Sequence, residues 1–589
     1  MTRTRVRSVA LLVSMLAASL LSRPLTAADK VPSDQLLPPK VYGYLSVPSV
    51  AELKERFKQS TLGGVLKDES FDDFWAELKP VIEKASGDIT EQLGVSVDEL
   101  LQIPTGEVAV AYIEPEGETA GLVALLDFGE SGEVIEKLLE KAEGALEEQG
   151  VARSVEDFEG TEIVTYRFKK KADADAAAEE PDEDGFGRTL AYFLKDDYLV
   201  AGSNLPVLEA VLARWSGDHS STFSSNEVYR HVMERTKSPD TDPVLKFYID
   251  PIGLATNLIN AFAQDNFQLQ MATGFLPAMG LANLKAIGGA VDMVSGDFDT
   301  VSRVFIYVEQ PAVGLLNAFR FPAVEQTPPP WVADNVNTYF ALNWDVESAY
   351  EAVEALADSI QGPGALEQML DQMAEKEGGL QLHLKTDVLD QLTGEIHFVS
   401  DMEDPKVPDS SRFMLALGVK DPKQAKTVLS TIADSDGISM ETREFRGEKI
   451  YEMQLPLPSV GGLGQGADPV KMGITVAKNS LMIASNVTLL EQALRDSDVN
   501  ALSDSKEYQQ IADHFPSQTS IMGFQNQSSQ LKAAYELFRS GTAGDFLENV
   551  DFSKLPPFEA IEKYMPASGS YVIPDEKGAL MVSFSLPKD

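Results

Sequence analysis

A chain of 589 residues with 43% hydrophobic content can bury several cores. Its lack of cysteine excludes disulfides, thiol catalysis, iron–sulfur clusters and cysteine-type zinc sites. A formal charge of −43 gives a surface that repels nucleic acid and anionic membrane and favours solubility.

Residues 1–28 open with Arg3, Arg5 and Arg7, continue with an apolar run over 9–21, and end in Leu25-Thr26-Ala27-Ala28. This is the pattern of a secretory signal peptide, and its apolar run falls short of the about 20 residues a membrane span needs. The expectation is export by the general secretory route to a periplasmic or extracellular location, with no membrane span in the mature chain. Residues 29–40 read as a linker and 41–310 as a first domain.

Within that domain, 41–47 alternates as a strand and Ser49 caps a helix. Phe74, Leu78, Val81 and Ile82 fall at helical spacing within 71–89. Strands are expected at 107–113 and 121–128, a helix at 133–148, and a hairpin around Glu159-Gly160. Residues 169–187, KKKADADAAAEEPDEDGFG, read as a flexible acidic insertion. A calcium loop with Gly185 in its sixth place would need Glu in its twelfth, where Ala191 stands.

The stretch 189–212, TLAYFLKDDYLVAGSNLPVLEAVL, reads as a hairpin turning at Lys195-Asp196-Asp197, followed by a helix capped by Ser203-Asn204. After a strand at 245–249 and a helix at 250–262 comes 266–284, NFQLQMATGFLPAMGLANL. Phe267, Met271, Phe275, Leu276, Met279 and Leu281 make it either a segment packed on its own sheet or a surface for an apolar ligand or a protein partner. Strands at 286–294 and 300–308 close the domain. Pro322 and the prolines at 328–330 stiffen a joint over 311–335, so a second domain, 336–589, is expected to be held apart semi-rigidly.

The second half echoes the first. MGITVAKNSLMIASNVTLLEQAL (472–494) repeats the hairpin, cap and helix; LDQLTGEIHFV (389–399) echoes LLQIPTGEVAV (100–110). FRGEKI (445–450) echoes FEGTEI (158–163), and SKEYQQI (505–511) echoes NEVYRHV (226–232). Order is kept while register drifts slowly, which points to tandem duplication of a unit far longer than a solenoid repeat. The expected fold class is α+β: two tandem homologous domains, each a largely antiparallel sheet of about eight to ten strands with helices mainly on one face.

Active-site patterns are wanting. His219, His231, His383, His397 and His514 are scattered, with no two at i, i+4, and read as isolated surface or packed imidazoles. No nucleophile elbow, Walker loop or H-E-x-x-H occurs. Gly462-Leu463-Gly464-Gln465-Gly466-Ala467 matches a loose dinucleotide fingerprint, but Pro456, Pro458 and Pro469 flank it and no helix follows. Glu107 and Glu395, in the recurring Thr-Gly-Glu, read first as turn chemistry and second as acids of a carboxylate-dependent hydrolase. No catalytic residue, cofactor or metal is assigned.

The Thr-Gly-Glu turn, the F-x-G hairpin and the L-x-x-x-S-N-x-x-x-L-E element together resemble a family of exported bacterial proteins classed only as a domain of unknown function, of planctomycete and cyanobacterial type. The resemblance implies an α+β domain, often duplicated, behind a signal peptide, and supplies no catalytic residues. The expected function is a non-enzymatic exported binding or scaffold protein, the alternative a carrier of an apolar ligand or lipid under 266–284.

Overall fold

The computed structural model describes residues 30–168, 188–217, 219–263, 266–277, 279–375, 382–403, 410–435, 440–455, 470–495, 500–526, 528–541 and 550–587. The leader, the 169–187 insertion and the 462–467 glycine run lie outside the described residues.

The first ten strands are β1 (Val41–Val47), β2 (Val108–Ile113), β3 (Gly121–Asp127), β4 (Ala152–Phe158), β5 (Thr161–Arg167), β6 (Thr189–Lys195), β7 (Tyr198–Gly202), β8 (Leu245–Ile249), β9 (Leu284–Ser295) and β10 (Phe298–Val308). The next ten are β11 (Thr338–Asn343), β12 (Leu392–Met402), β13 (Ser411–Val419), β14 (Glu441–Phe445), β15 (Glu448–Leu455), β16 (Val470–Ala477), β17 (Ser480–Ala484), β18 (Ile521–Gln525), β19 (Ser568–Asp575) and β20 (Gly578–Ser585). All pairings are antiparallel. The N-terminal half runs β4-β5-β6-β7-β3-β2-β1-β8-β9-β10. The C-terminal half runs β14-β15-β16-β17-β13-β12-β11-β18-β19-β20. The fold is α+β.

The expected separation of the two halves is not what forms. β10 pairs with β20, from Thr300 opposite Ser585 to Tyr307 opposite Gly578, and welds everything into one 20-stranded sheet. The physical reason is that each half ends on a strand with an unpaired edge, and two such edges satisfy one another's backbone groups. The proline-rich joint is packed down as well: Trp331, Val332 and Ala333 are buried, and Val324 and Ala333 bridge to Thr519 and Ala501. The outer edges β4 and β14 carry Arg153, Glu156 and Asp157, and Glu441, Arg443 and Glu444, charges that discourage further pairing.

Local chemistry sets the repeated elements. Asp196 and Asp197, and then Lys478 and Asn479, hold positive φ at the tips of two tight hairpins. Asn204 accepts from Val207 N–H and Asn486 from Thr488 N–H, starting helices Leu205–Leu212 and Val487–Ala493. Ser203 Oγ accepts from Leu122 N–H on β3 at 2.9 Å, and Ser485 Oγ from Phe413 N–H on β13 at 2.9 Å.

One face of the sheet is fully covered. Tyr44, Leu125, Phe193 and Val200 pack under helices Leu205–Leu212 and Glu227–Thr236. Tyr339, Met414, Met482 and Ala484 pack under helices Val487–Ala493 and Lys506–Ala512. The larger of these, such as Leu125, Phe193, Val200, Met414 and Met482, contribute about 1.5–3 kcal/mol each when fully buried. Helices also reach the other face at its two ends, where Gly132–Glu148 packs Ile135 and Leu138 near Leu126 and Leu199, and Pro422–Ala433 packs Leu429 near Val476 and Leu481.

Helical segments also cluster beyond the strand ends. At one end, Phe71 and, on helix Asp72–Leu93, Trp75 meet Tyr535, Phe558 and Ile561 from the C-terminal half, and Asp68 bonds Lys563 and Tyr564. At the opposite end stand helices Pro251–Phe262, Phe267–Phe275, Val346–Gln361 and Ala365–Glu375.

Candidate functional site

Residues directly opposite each other on antiparallel strands point to the same side of a sheet. From β4, Val155, Val164, Tyr192, Ala201, Ala124, Val110, Leu45, Phe247, Gly289 and Val304 stand side by side, partner to partner. Across the β10–β20 seam the row continues through Met581, Val572, Ile521, Leu342, Ile396, Leu417, Leu481 and Val476 on β16. No position in the row is charged, and none carries a hydrogen-bonding side chain except Tyr192.

Neighbouring rows are uncharged as well, although one carries the hydroxyls of Ser302, Ser583 and Ser570. Val291, Ser302, Ser583, Ser570, Gly523, Phe340, Phe398, Leu415 and Ile483 form one; Ile249, Ile287, Ile306, Ala579 and Pro574 form another. This side is not sealed as the other is. Leu45 is 47% exposed and Val110 43%, while Phe247, Val304, Leu342 and Ile396 are half-buried. In a chain of net charge −43, an uncharged, partly open apolar surface of this breadth is out of keeping with a monomer's ordinary exterior.

The six residues of 266–284 do not lie over this sheet as core. Phe267, Met271 and Phe275 sit on helix Phe267–Phe275 with their side chains in solvent, Phe267 at 72% exposure. Leu276, Met279 and Leu281 are half-buried in the turn that follows. That turn is pinned by Leu315 N–H donating to Met279 O at 2.9 Å. Gly280 is required there: its φ is +77° and an added Cβ would fall 2.0 Å from Val313 O.

The two Thr-Gly-Glu carboxylates behave differently from each other. Glu107 is buried and accepts from Ser33 N–H at 2.8 Å, Ser33 Oγ at 2.6 Å and Ser46 Oγ at 2.6 Å, a set that locks it in place. Glu395 lies at the surface, 2.9 Å from His397 Nε2, and His397 Nδ1 is 2.9 Å from the buried Tyr339 hydroxyl. The hydrogen bond from His397 holds the Glu395 carboxyl below its ordinary value, and burial raises the Tyr339 hydroxyl well above its own. His397 is thus a packed imidazole with a partner at each ring nitrogen. A polar cavity of about 320 Å³ beside it is lined by Gln326, Asn343 and Thr393, and a second of about 520 Å³ by Trp344, Tyr350, Lys385 and Lys420. Both ring nitrogens of His397 are engaged within the protein, one of them by the hydroxyl of Tyr339, which is fully buried. Among the described residues no group of three or more His, Asp or Glu is placed to hold a metal ion.

No protein family, curated protein or solved structure matches this chain. The assignment rests on geometry alone. One sequence signal could have found the open face: GLVALLD, TLAYFLK and SRFMLALGV are apolar at both parities, whereas a strand with one wet face alternates.

Proposed function

We propose that the protein is an exported, non-enzymatic binding protein that holds elongated hydrocarbon against the open sheet face. The observation that carries this is the uncharged, partly open stretch of the row from Val110 to Leu417. Each methylene withdrawn from water there contributes about 0.8 kcal/mol, so about a dozen supply roughly 10 kcal/mol before the costs of ordering and association. Glu107, held by three donors, and Glu395, held by His397, support binding over the hydrolase alternative. Phe267 and Phe275 are turned to solvent, which favours the open face over a cavity under 266–284 as the place for a ligand.

Export is supported by the leader pattern of 1–28, and membership of the unknown-function family by the paired motifs. Tandem duplication is supported by the identical strand order of the halves and the matched bonds of Ser203 and Ser485. It is supported further by Gly288 opposite Phe305 and Gly569 opposite Phe584. The deciding experiment is organic extraction and mass spectrometry of protein purified without detergent from its native host. A titration with an uncharged pyrene-labelled long-chain alcohol accompanies it. Co-purifying lipid and saturable probe binding are expected. Protein that carries no lipid and leaves the probe in water rejects the reading and returns the scaffold alternative.

A further inference from the structure

We infer that helix Phe267–Phe275, with the turn Gly314–Phe319 beside it, is where the protein settles on an uncharged lipid bilayer to exchange hydrocarbon with the open face. This rests on the reading above. Phe267, Met271 and Phe275 follow at i, i+4 and i+8, forming one apolar ridge along the helix, and all three are exposed. Gln268, Leu269, Gln270 and Gly274 are exposed as well, so the helix stands clear of the body. Phe319, 67% exposed, belongs to a turn tied to the same segment through the Leu315–Met279 hydrogen bond.

Three segments at this end offer uncharged surface to a neutral bilayer, while helix Val346–Gln361, packed on Gly314–Phe319, carries Glu347, Glu351, Glu354 and Asp358. Pro251–Phe262, Phe267–Phe275 and Gly314–Phe319 contain no Asp, Glu, Lys or Arg, in a chain in which 24% of residues are charged. Their polar groups are Asn, Gln and Thr, which can bond to headgroups and water, while Phe and Met enter the acyl boundary. The element is also continuous with the open face. Tyr112, on the Leu45–Val110 side of the sheet, donates to Asn257 at 2.5 Å, and Leu254 packs on Tyr42 and Tyr112. At the opposite end of the strands Trp75, Tyr535 and Phe558 pack on one another, and Phe538 there is 38% exposed against 72% for Phe267.

The test is flotation of the full mature chain with vesicles of phosphatidylcholine alone, comparing wild type with F267S/F275S. The pyrene-alcohol titration is run on both in solution. Wild type is expected to float. The double variant, altered only at exposed positions, should partition at least about tenfold less while binding the probe as before. Equal flotation of the variant overturns the inference. So does wild type that binds the probe yet stays with the aqueous phase. A dimer in sedimentation that the variant dissolves, without flotation of wild type, overturns it in favour of a second copy. Wild type that neither floats nor binds the probe fails the hydrocarbon reading itself, and the docking surface with it.

Discussion

Leu45 stands at the middle of the N-terminal half of the open face, between Val110 and Phe247, with 47% of its surface in water. Full burial of a leucine contributes about 1.5–3 kcal/mol, so a ligand covering the open part gains about 1 kcal/mol from it. In Leu45→Glu that gain disappears, and a bound hydrocarbon would also strip water from a carboxylate too short to reach clear of the row. Affinity for the uncharged pyrene alcohol should therefore fall at least tenfold, about 1.4 kcal/mol. The fold loses only the already buried part of the side chain, about 1 kcal/mol, a small displacement of the urea midpoint. Leu45→Gln separates charge from shape and should lose less. Undiminished probe binding by Leu45→Glu, with the urea midpoint near that of wild type, would refute the assignment of this face.

Three further outcomes follow from the same contacts. Asp401 is fully buried and accepts from Arg412 Nε at 2.7 Å and Nη2 at 2.6 Å, so Arg412→Met should cost about 3–5 kcal/mol in urea unfolding. Adding Asp401→Leu should recover most of that loss. Ser203→Ala and Ser485→Ala, which remove matching hydrogen bonds to β3 and β13, should each cost about 1 kcal/mol. A clear inequality between them in parallel denaturant melts would count against equivalence of the two sites. Glu395 is depressed in the folded state, so its contribution to stability is complete above its ordinary value of 4.5 and lost as pH falls through the folded value. His397→Ala should move the Glu395 carboxyl midpoint upward in a carbon-detected NMR titration, and an unmoved midpoint would contradict the pairing.

Elements with local chemistry were legible in the chain. The helix expected at 133–148 is Gly132–Glu148, Asn204 and Asn486 cap the helices expected after them, and the hairpin tips fall at Asp196-Asp197 and Lys478-Asn479. The β10–β20 seam left no local trace, because it depends on which edge is vacant after each half has folded. Glu395 and His397 were legible in principle: two residues apart in a strand, they share a side, which a search for helical i, i+4 spacing passes over. The open face escaped notice for a different reason. Apolar residues at both parities look like ordinary core, and only the register of distant strands reveals that one side lacks a cover.

The seam between β10 and β20 also governs how this chain comes into being. Synthesis supplies β10 first and its partner only after roughly another 270 residues, so for that interval an eleven-residue strand waits with its outer amides and carbonyls unclaimed. A nascent chain cut short anywhere before Gly578 keeps that adhesive margin permanently, ready to stitch onto a sister molecule. Completing the last eight residues of sheet is thus what makes the product safe to release.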